Sequence, residues 1–351
     1  MKIDHVHFYV EDAKTWRDWF VHHLGFQPIT DRISSFHTCT KVVKSGTVCF
    51  FLSSPLLPTS PVAEFLRKYP PGVADVAFAV ENVESAIALA QKYGATILQP
   101  IQERQIGTAF LKCGKIAAWG GLTHTLIERS LVFDKEQMNN DNTFTAIDHI
   151  VLNVAVGELE NAVAWYENIL DFQPQQAFKI KTDRSALHSQ VMVSRNGIVQ
   201  LPINEPASSN SQIQEFLDVN RGPGIQHIAL RTTNLVSAIA KFRTSGLSLL
   251  SVPQTYYSQL KQRSGLTLSP LELEAIAQQE ILVDWQEYTP VESLHTAPLL
   301  LQIFTQPIFE QPTFFFEFIE RRFQAKGFGE GNFRALFEAI ESEQIKRGTL
   351  Q

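Results

Sequence analysis

Cysteine is scarce in this chain: three in 351 residues (Cys39, Cys49 and Cys113), all in the first half and without metal-ligand spacing. An odd, dispersed set excludes a disulfide-stapled scaffold and reads as reduced thiols in a cytoplasmic protein. Long apolar runs are missing too, so nothing resembles a membrane span. The start, Met1-Lys2-Ile3-Asp4-His5, runs straight into a strand-like segment rather than a signal peptide. A formal net charge of −6 with no Lys/Arg cluster argues against a nucleic-acid footprint. What remains, 44% hydrophobic and 19% charged residues, is an ordinary globular composition with room for two domains.

Against that plain background the chain matches itself. Ile3-Asp4-His5-Val6 pairs with Ile147-Asp148-His149-Ile150, and Gly72–Phe78 pairs with Gly224–Leu230. Thr125-Leu126-Ile127-Glu128-Arg129 pairs with Glu317-Phe318-Ile319-Glu320-Arg321. Each copy opens with a short apolar strand and an amphipathic helix. In the first copy that helix carries Trp16, Trp19, Phe20, His23 and Leu24 at helical spacing, with Gly25 at its end. In the second it carries Leu159, Ala162, Val163, Tyr166, Ile169 and Leu170. A second strand–helix pair follows in each, with Asn82 and Asn234 as N-cap residues. This grammar predicts a strongly curved, mostly antiparallel sheet around a cavity in each copy, with helices outside. The polar run around 131–144 is the predicted linker, 285–297 a surface loop, and about 334–346 a terminal helix with no counterpart in the first copy.

The matched positions carry different chemistry. The first copy reads His5, Asp75 and Thr125; the second reads His149, His227 and Glu317. A lone strand histidine is ordinarily a hydrogen-bonded core residue, and a lone glutamate among phenylalanines can be a buried ion-pair partner. Independent core residues have no reason to fall on the symmetry of a repeat, so the trio is read as metal ligands. Alternation puts Glu317 on one face with Phe315 and turns Glu320 away. A buried carboxylate there needs a proton or a cation. Two imidazoles and one carboxylate also suit catalytic Zn(II), and an oxygen-rich site would suit Mn(II); a three-ligand face with open positions favours Fe(II). Gly327-Phe328-Gly329-Glu330-Gly331 is not a dinucleotide loop, because it lies outside a βαβ unit.

Leu201-Pro202-Ile203-Asn204-Glu205-Pro206, Gly224-Ile225-Gln226-His227, Leu300–Thr305, Pro312–Glu317 and Gly327–Phe333 together resemble the 4-hydroxyphenylpyruvate dioxygenase family of the vicinal-oxygen-chelate superfamily. That resemblance implies an α+β fold: tandem βαβββ modules of the glyoxalase/bleomycin-resistance type, forming two open barrel-like domains with an added C-terminal helix. Residues 1–130 would be a degenerate domain without metal and 145–351 the catalytic one. It implies His149, His227 and Glu317 as ligands to one Fe(II) per chain. Ser189, Asn204, Gln212, Gln226 and Gln302 would be polar substrate contacts, with Phe304, Phe315, Phe333 and Phe337 as aromatic walls and Asn332 supporting the terminal helix. The substrates would be 4-hydroxyphenylpyruvate and O2. Because the keto acid belongs to the molecule being oxidised, no 2-oxoglutarate is required. Decarboxylation, ring hydroxylation and side-chain migration would yield homogentisate and CO2, for tyrosine breakdown or for quinone and tocopherol synthesis. The family also implies a homo-oligomer, dimer or tetramer. The same ligand set leaves three alternatives: 4-hydroxymandelate synthase, an extradiol catechol dioxygenase and a non-catalytic binding protein. Gln306 and Glu320 depart from residues usual in the family.

Overall fold

The structure is a computed structural model that describes residues 1–29, 34–106, 109–129, 142–262, 268–285 and 297–350. Its first half contains β1 (Lys2–Tyr9), α1 (Ala13–Leu24), β2 (Gln27–Ile29), β3 (Thr38–Ser45), β4 (Val48–Pro55), α2 (Pro61–Lys68), β5 (Gly72–Ala79), α3 (Val83–Lys92), β6 (Ile97–Ile106), β7 (Ala109–Ala117) and β8 (Thr123–Arg129). The second half repeats the pattern with β9 (Ala146–Asn153), α4 (Leu159–Leu170), β10 (Phe172–Lys181), β11 (Ala186–Ser194), β12 (Gln200–Pro206), α5 (Gln212–Asn220), β13 (Gly224–Arg231) and α6 (Leu235–Thr244). It continues through α7 (Gln254–Leu260), α8 (Pro270–Gln278), β14 (Leu282–Trp285), β15 (Leu299–Phe304), β16 (Phe315–Arg322) and α9 (Phe333–Arg347).

Two eight-stranded sheets result, with orders β2-β3-β4-β1-β5-β8-β7-β6 and β10-β11-β12-β9-β13-β16-β15-β14. The orders are the same permutation, so the repeat is structural as well as sequential. In each sheet the two leading strands pair antiparallel at the centre, β1 with β5 and β9 with β13. Each leading strand then pairs parallel with the last strand of its unit, β1 with β4, β5 with β8, β9 with β12 and β13 with β16. The remaining neighbours are antiparallel. The expected 131–144 and 285–297 segments lie largely outside the described residues.

Local chemistry starts and stops the helices where the pattern predicts. Asp12, Ser60, Asn82, Ser211, Asn234 and Ser269 each accept a first-turn backbone N–H. Gly25 adopts φ +70 to close α1, and two hydrogen bonds return to the carbonyls of Phe20 and Val21. A recurring carboxylate adds to this. Glu128 accepts from Val83 N at 2.9 Å, Glu205 from Leu159 N at 3.1 Å and Glu320 from Leu235 N at 2.6 Å, so each places an anion at the positive end of a helix. This gives Glu320 a clear role at the start of α6.

The halves pack through aromatic rings. Phe8 meets Phe314 at 5.1 Å, Phe20 and Phe50 approach Phe316 at 5.9 and 5.8 Å, and Phe26 reaches Phe144 at 5.5 Å. Such edge and offset contacts add directional preference to the large area they bury. His124 on β8 and Tyr166 on α4 hydrogen-bond across the same boundary at 3.1 Å, both fully buried. Among the described residues, no helix is long and apolar enough to cross a membrane.

Candidate metal centre

Three adjacent strands bring the ligand candidates together. Ala229 of β13 is the Cα partner of both His149 on β9 and Glu317 on β16, while His227 lies two residues back on β13. One ligand atom from each of His149, His227 and Glu317 lies within 4.8 Å of the others. His149 Nε2 is 3.1 Å and His227 Nε2 is 3.7 Å from the same Glu317 Oε2. Among the described residues this is the only such group of His, Cys, Asp and Glu side chains.

The layer behind the ligands orients them. Asp148 Oδ1 is 3.0 Å from His149 Nδ1, leaving Nε2 free to face Glu317. Arg321 holds both oxygens of Asp148, at 2.6 and 2.8 Å, and Arg231 adds a third grip at 2.8 Å. A carboxylate behind a ligating imidazole sets its tautomer and raises its basicity. Burial alone would push the Asp148 carboxyl up, but Arg321 and His149 hold it well below the ordinary carboxylate range. Burial would likewise push His149 down, yet Glu317 and Asp148 outweigh it and raise the imidazole to about 9. Burial and the adjacent His149 hold His227 well below the usual imidazole value. Without a metal, the His149 imidazole beside Glu317 is therefore disposed to hold an additional proton, which an arriving cation must displace.

The donor set fits a divalent transition metal. Glu317 Oε1 is buried without a hydrogen-bond partner, an arrangement that costs free energy until something occupies it. Three ligands on one side of a cavity leave the opposite side open, as a catalytic rather than a structural site requires.

The space in front of the ligands, its open mouth included, amounts to about 640 Å³. Ser189, Asn204, Gln212 and Gln226 line it with the three ligand candidates, as do Phe304, Phe315, Phe333 and Phe337. Ser189 and Asn204 are register partners on β11 and β12, and Gln212 opens α5. Gln226 and His227 are consecutive yet both face the cavity, which strict alternation forbids. A register shift between Ile225 and His227 turns the strand there and re-aims Gln226.

Gln302 stands one layer back, outside the cavity lining in which the resemblance places it, and Asn332 lies behind the wall at the start of the terminal helix. Gly329, at φ +75, lies so close to the Gln302 amide that a side chain there would force the amide to move, and neither Gln302 polar atom has a partner. Asn332 accepts from Tyr256 Oη at 2.8 Å and so ties the start of α9 to α7. Two cavity residues, and one behind the ligands, were not singled out from the sequence. Phe178 and Phe328 join the wall, and Phe328 meets the His149 ring at 5.1 Å. Phe178 sits on an exposed edge strand that carried no signal. Asp148 could have been found, because Asp4-His5 and Arg129 repeat as Asp148-His149 and Arg321.

Known proteins resemble this chain in sequence and fold. Residues 4–111 and 146–263 each match a Glyoxalase/Bleomycin resistance protein/Dioxygenase superfamily description. The 4-hydroxyphenylpyruvate dioxygenase of Coccidioides posadasii is 37% identical, over 99% of this chain and 94% of its own length. That of Yarrowia lipolytica is 38% identical over 99% and 93%. A solved mutant of 4-hydroxymandelate synthase from Streptomyces coelicolor superposes with a TM-score of 0.84 at 25% identity, covering 98% of both chains.

Proposed function

We propose, for a chain that belongs to the 4-hydroxyphenylpyruvate dioxygenase family, that it converts 4-hydroxyphenylpyruvate and O2 to homogentisate and CO2 at an Fe(II) centre. The reaction balances without another reductant, because the keto acid supplies the electrons as its carboxyl group leaves as CO2. The observation that carries this reading is the convergence of His149, His227 and Glu317 at the head of an aromatic cavity. The two imidazoles and the carboxylate would hold the ion, which when bound supplies a Lewis-acidic, redox-active centre with open positions for the keto acid and O2.

The chain's own side chains do the rest. The four lining amides and hydroxyls, Ser189, Asn204, Gln212 and Gln226, orient a phenol and an α-keto carboxylate by hydrogen bonds without adding net charge. Phe315, stacked on His227 at 4.7 Å, and Phe333, edge-on to Phe178 at 5.3 Å, are suited to clasp the substrate ring. The tail from Phe328 to Ile340 covers the cavity and excludes water. Glu341 anchors it by accepting from Thr182 Oγ1 at 2.6 Å and Ser185 Oγ at 2.7 Å.

The test is anaerobic loading with Fe(II), addition of keto acid and then O2, and identification of the product. Homogentisate and CO2 with one O2 consumed are expected. The likeness to the mandelate synthase makes 4-hydroxymandelate the informative alternative product. Its formation would overturn the ring-hydroxylation assignment while leaving the metal site standing.

A further inference from the structure

Beside the metal cavity lies a second chamber of about 420 Å³, and Gln212, Gln226, Phe315 and Ile340 line both spaces. Those four side chains form the partition. Beyond it the chamber is walled by Leu250, Thr305, Pro307, Pro312 and Thr313. The prolines have no N–H to offer, and the Thr305 hydroxyl is already engaged by Phe316 N at 3.0 Å. On this far side the Thr313 hydroxyl is buried without a partner, and the charged side chains Glu215, Glu343 and Arg347 gather at the outer end. At the outer end Arg347 pairs with Glu215 at 2.9 Å, and Thr349 donates to the same carboxylate at 2.6 Å. The inner part of the chamber is thus lined mainly by hydrocarbon next to the ligands, and the Arg347–Glu215 ion pair stands at its outer end.

The main cavity poses a problem that this chamber solves. Phe328, Phe333, Leu336, Phe337 and Ile340 cover it from the tail. Once an aromatic keto acid lies beneath them, a gas molecule using the same mouth must pass the bound ring. We propose that the side chamber is the route by which dioxygen reaches, and carbon dioxide leaves, the metal cavity while the tail is closed. The assignment rests on the dioxygenase reading above for the identity of the gases. The partition, with Phe315 against His227, is the point at which they cross.

Crystals of the full chain under xenon pressure test the chamber without turnover. Xenon is expected between Leu250, Pro312 and Phe315; xenon bound elsewhere but not there overturns the proposal. Leu250 is buried and does not line the metal cavity, so Leu250→Trp fills the chamber alone. The KM for O2 should then rise several-fold, with the KM for keto acid and kcat at saturating O2 unchanged. An unaltered KM for O2 overturns the proposal. Pro312→Trp, at the more accessible wall, carries the same expectation if Leu250→Trp does not fold. Should the wild-type protein consume neither keto acid nor O2, the dioxygenase reading falls, and the xenon site still decides whether the chamber admits a small apolar gas.

Discussion

The two halves share a strand permutation, helix caps and even a hydrogen-bond layer, but they differ in how the centre of each sheet is neutralised. In the first half Asp4 contacts His5 Nδ1 at 2.8 Å and takes Arg129 at 2.9 Å, the counterpart of the Asp148, His149 and Arg321 set. The His5 ring then stacks on Phe51 at 4.0 Å, where His149 meets Glu317. Asp75 occupies the position of His227 and accepts from Thr123 Oγ1 at 2.5 Å and Thr125 Oγ1 at 3.1 Å. Lys115, paired across the strands with Thr125 as Phe304 is with Glu317, brings its ammonium to 3.5 Å from Asp75. The first half supplies its own cation through a side chain; the second presents acceptors that await one. A buried acid needs a counter-charge in either case, and which kind it finds separates a scaffold from a reaction centre.

The comparison breaks first at Glu317. Glu317→Ala removes the only acidic ligand, so bound iron and O2 uptake should both fall to background, read by metal analysis and an oxygen electrode. Full turnover would refute the ligand assignment.

Next in size is the opposite half. Lys115→Met leaves Asp75, 1% exposed, without its counter-ion and should cost about 3–5 kcal/mol of stability, with the geometry of the metal centre untouched. Burial would raise the Asp75 carboxyl, but Lys115 and Thr123 hold it below its ordinary value. Its stabilisation is therefore present above the unfolded carboxyl value of about 3.9 and lost as pH falls through the folded one. In the variant burial wins, the folded value rises, and stability should decline as pH increases. Denaturant unfolding at pH 5 and pH 8 reads the inversion, and parallel curves for variant and wild type would sink it.

A paired experiment sharpens the hydrogen-bond layer. Asp148→Asn should weaken metal binding by about 10–100-fold, while Asp4→Asn leaves it unchanged, as titration calorimetry can measure. Equal effects from both would show that the layer supports the fold rather than the ligand.

The smallest effect lies at the boundary between halves. Tyr166→Phe strips His124 Nε2 of its partner and should cost roughly 1 kcal/mol. Burial holds His124 down to about 4, below its unfolded value of about 6.5. The stability of this neutral imidazole is therefore complete above that unfolded value and is lost as pH falls through the folded one. A melting temperature insensitive to both Tyr166→Phe and pH between 7 and 5 would remove this contact from the interface.

Much of the fold could be read from the residues because it rests on short-range rules. Asn82 and Asn234 cap helices wherever they occur before such a run, and Gly25 reverses a helix for steric reasons. Period-two alternation separated Glu317 from Glu320 without any tertiary information. Alternation failed at Gln226, where a bulge that depends on the pairing partner intervened. Phe178 was invisible because its role depends on a tail more than a hundred residues away. Lys115 was missed for the same reason: a strand lysine is ordinarily solvated, and only the register against β8 turns this one toward Asp75.

The amino-acid order alone determined the duplication, the helix boundaries, and which three side chains are chemically able to hold a metal. Tertiary structure alone decided that their atoms converge, that Gln302 and Asn332 stand behind the cavity wall, and that a second chamber adjoins it. The division follows from range: caps and alternation act within a few residues, whereas convergence, cavities and the balance of buried charge exist only once distant strands share a sheet.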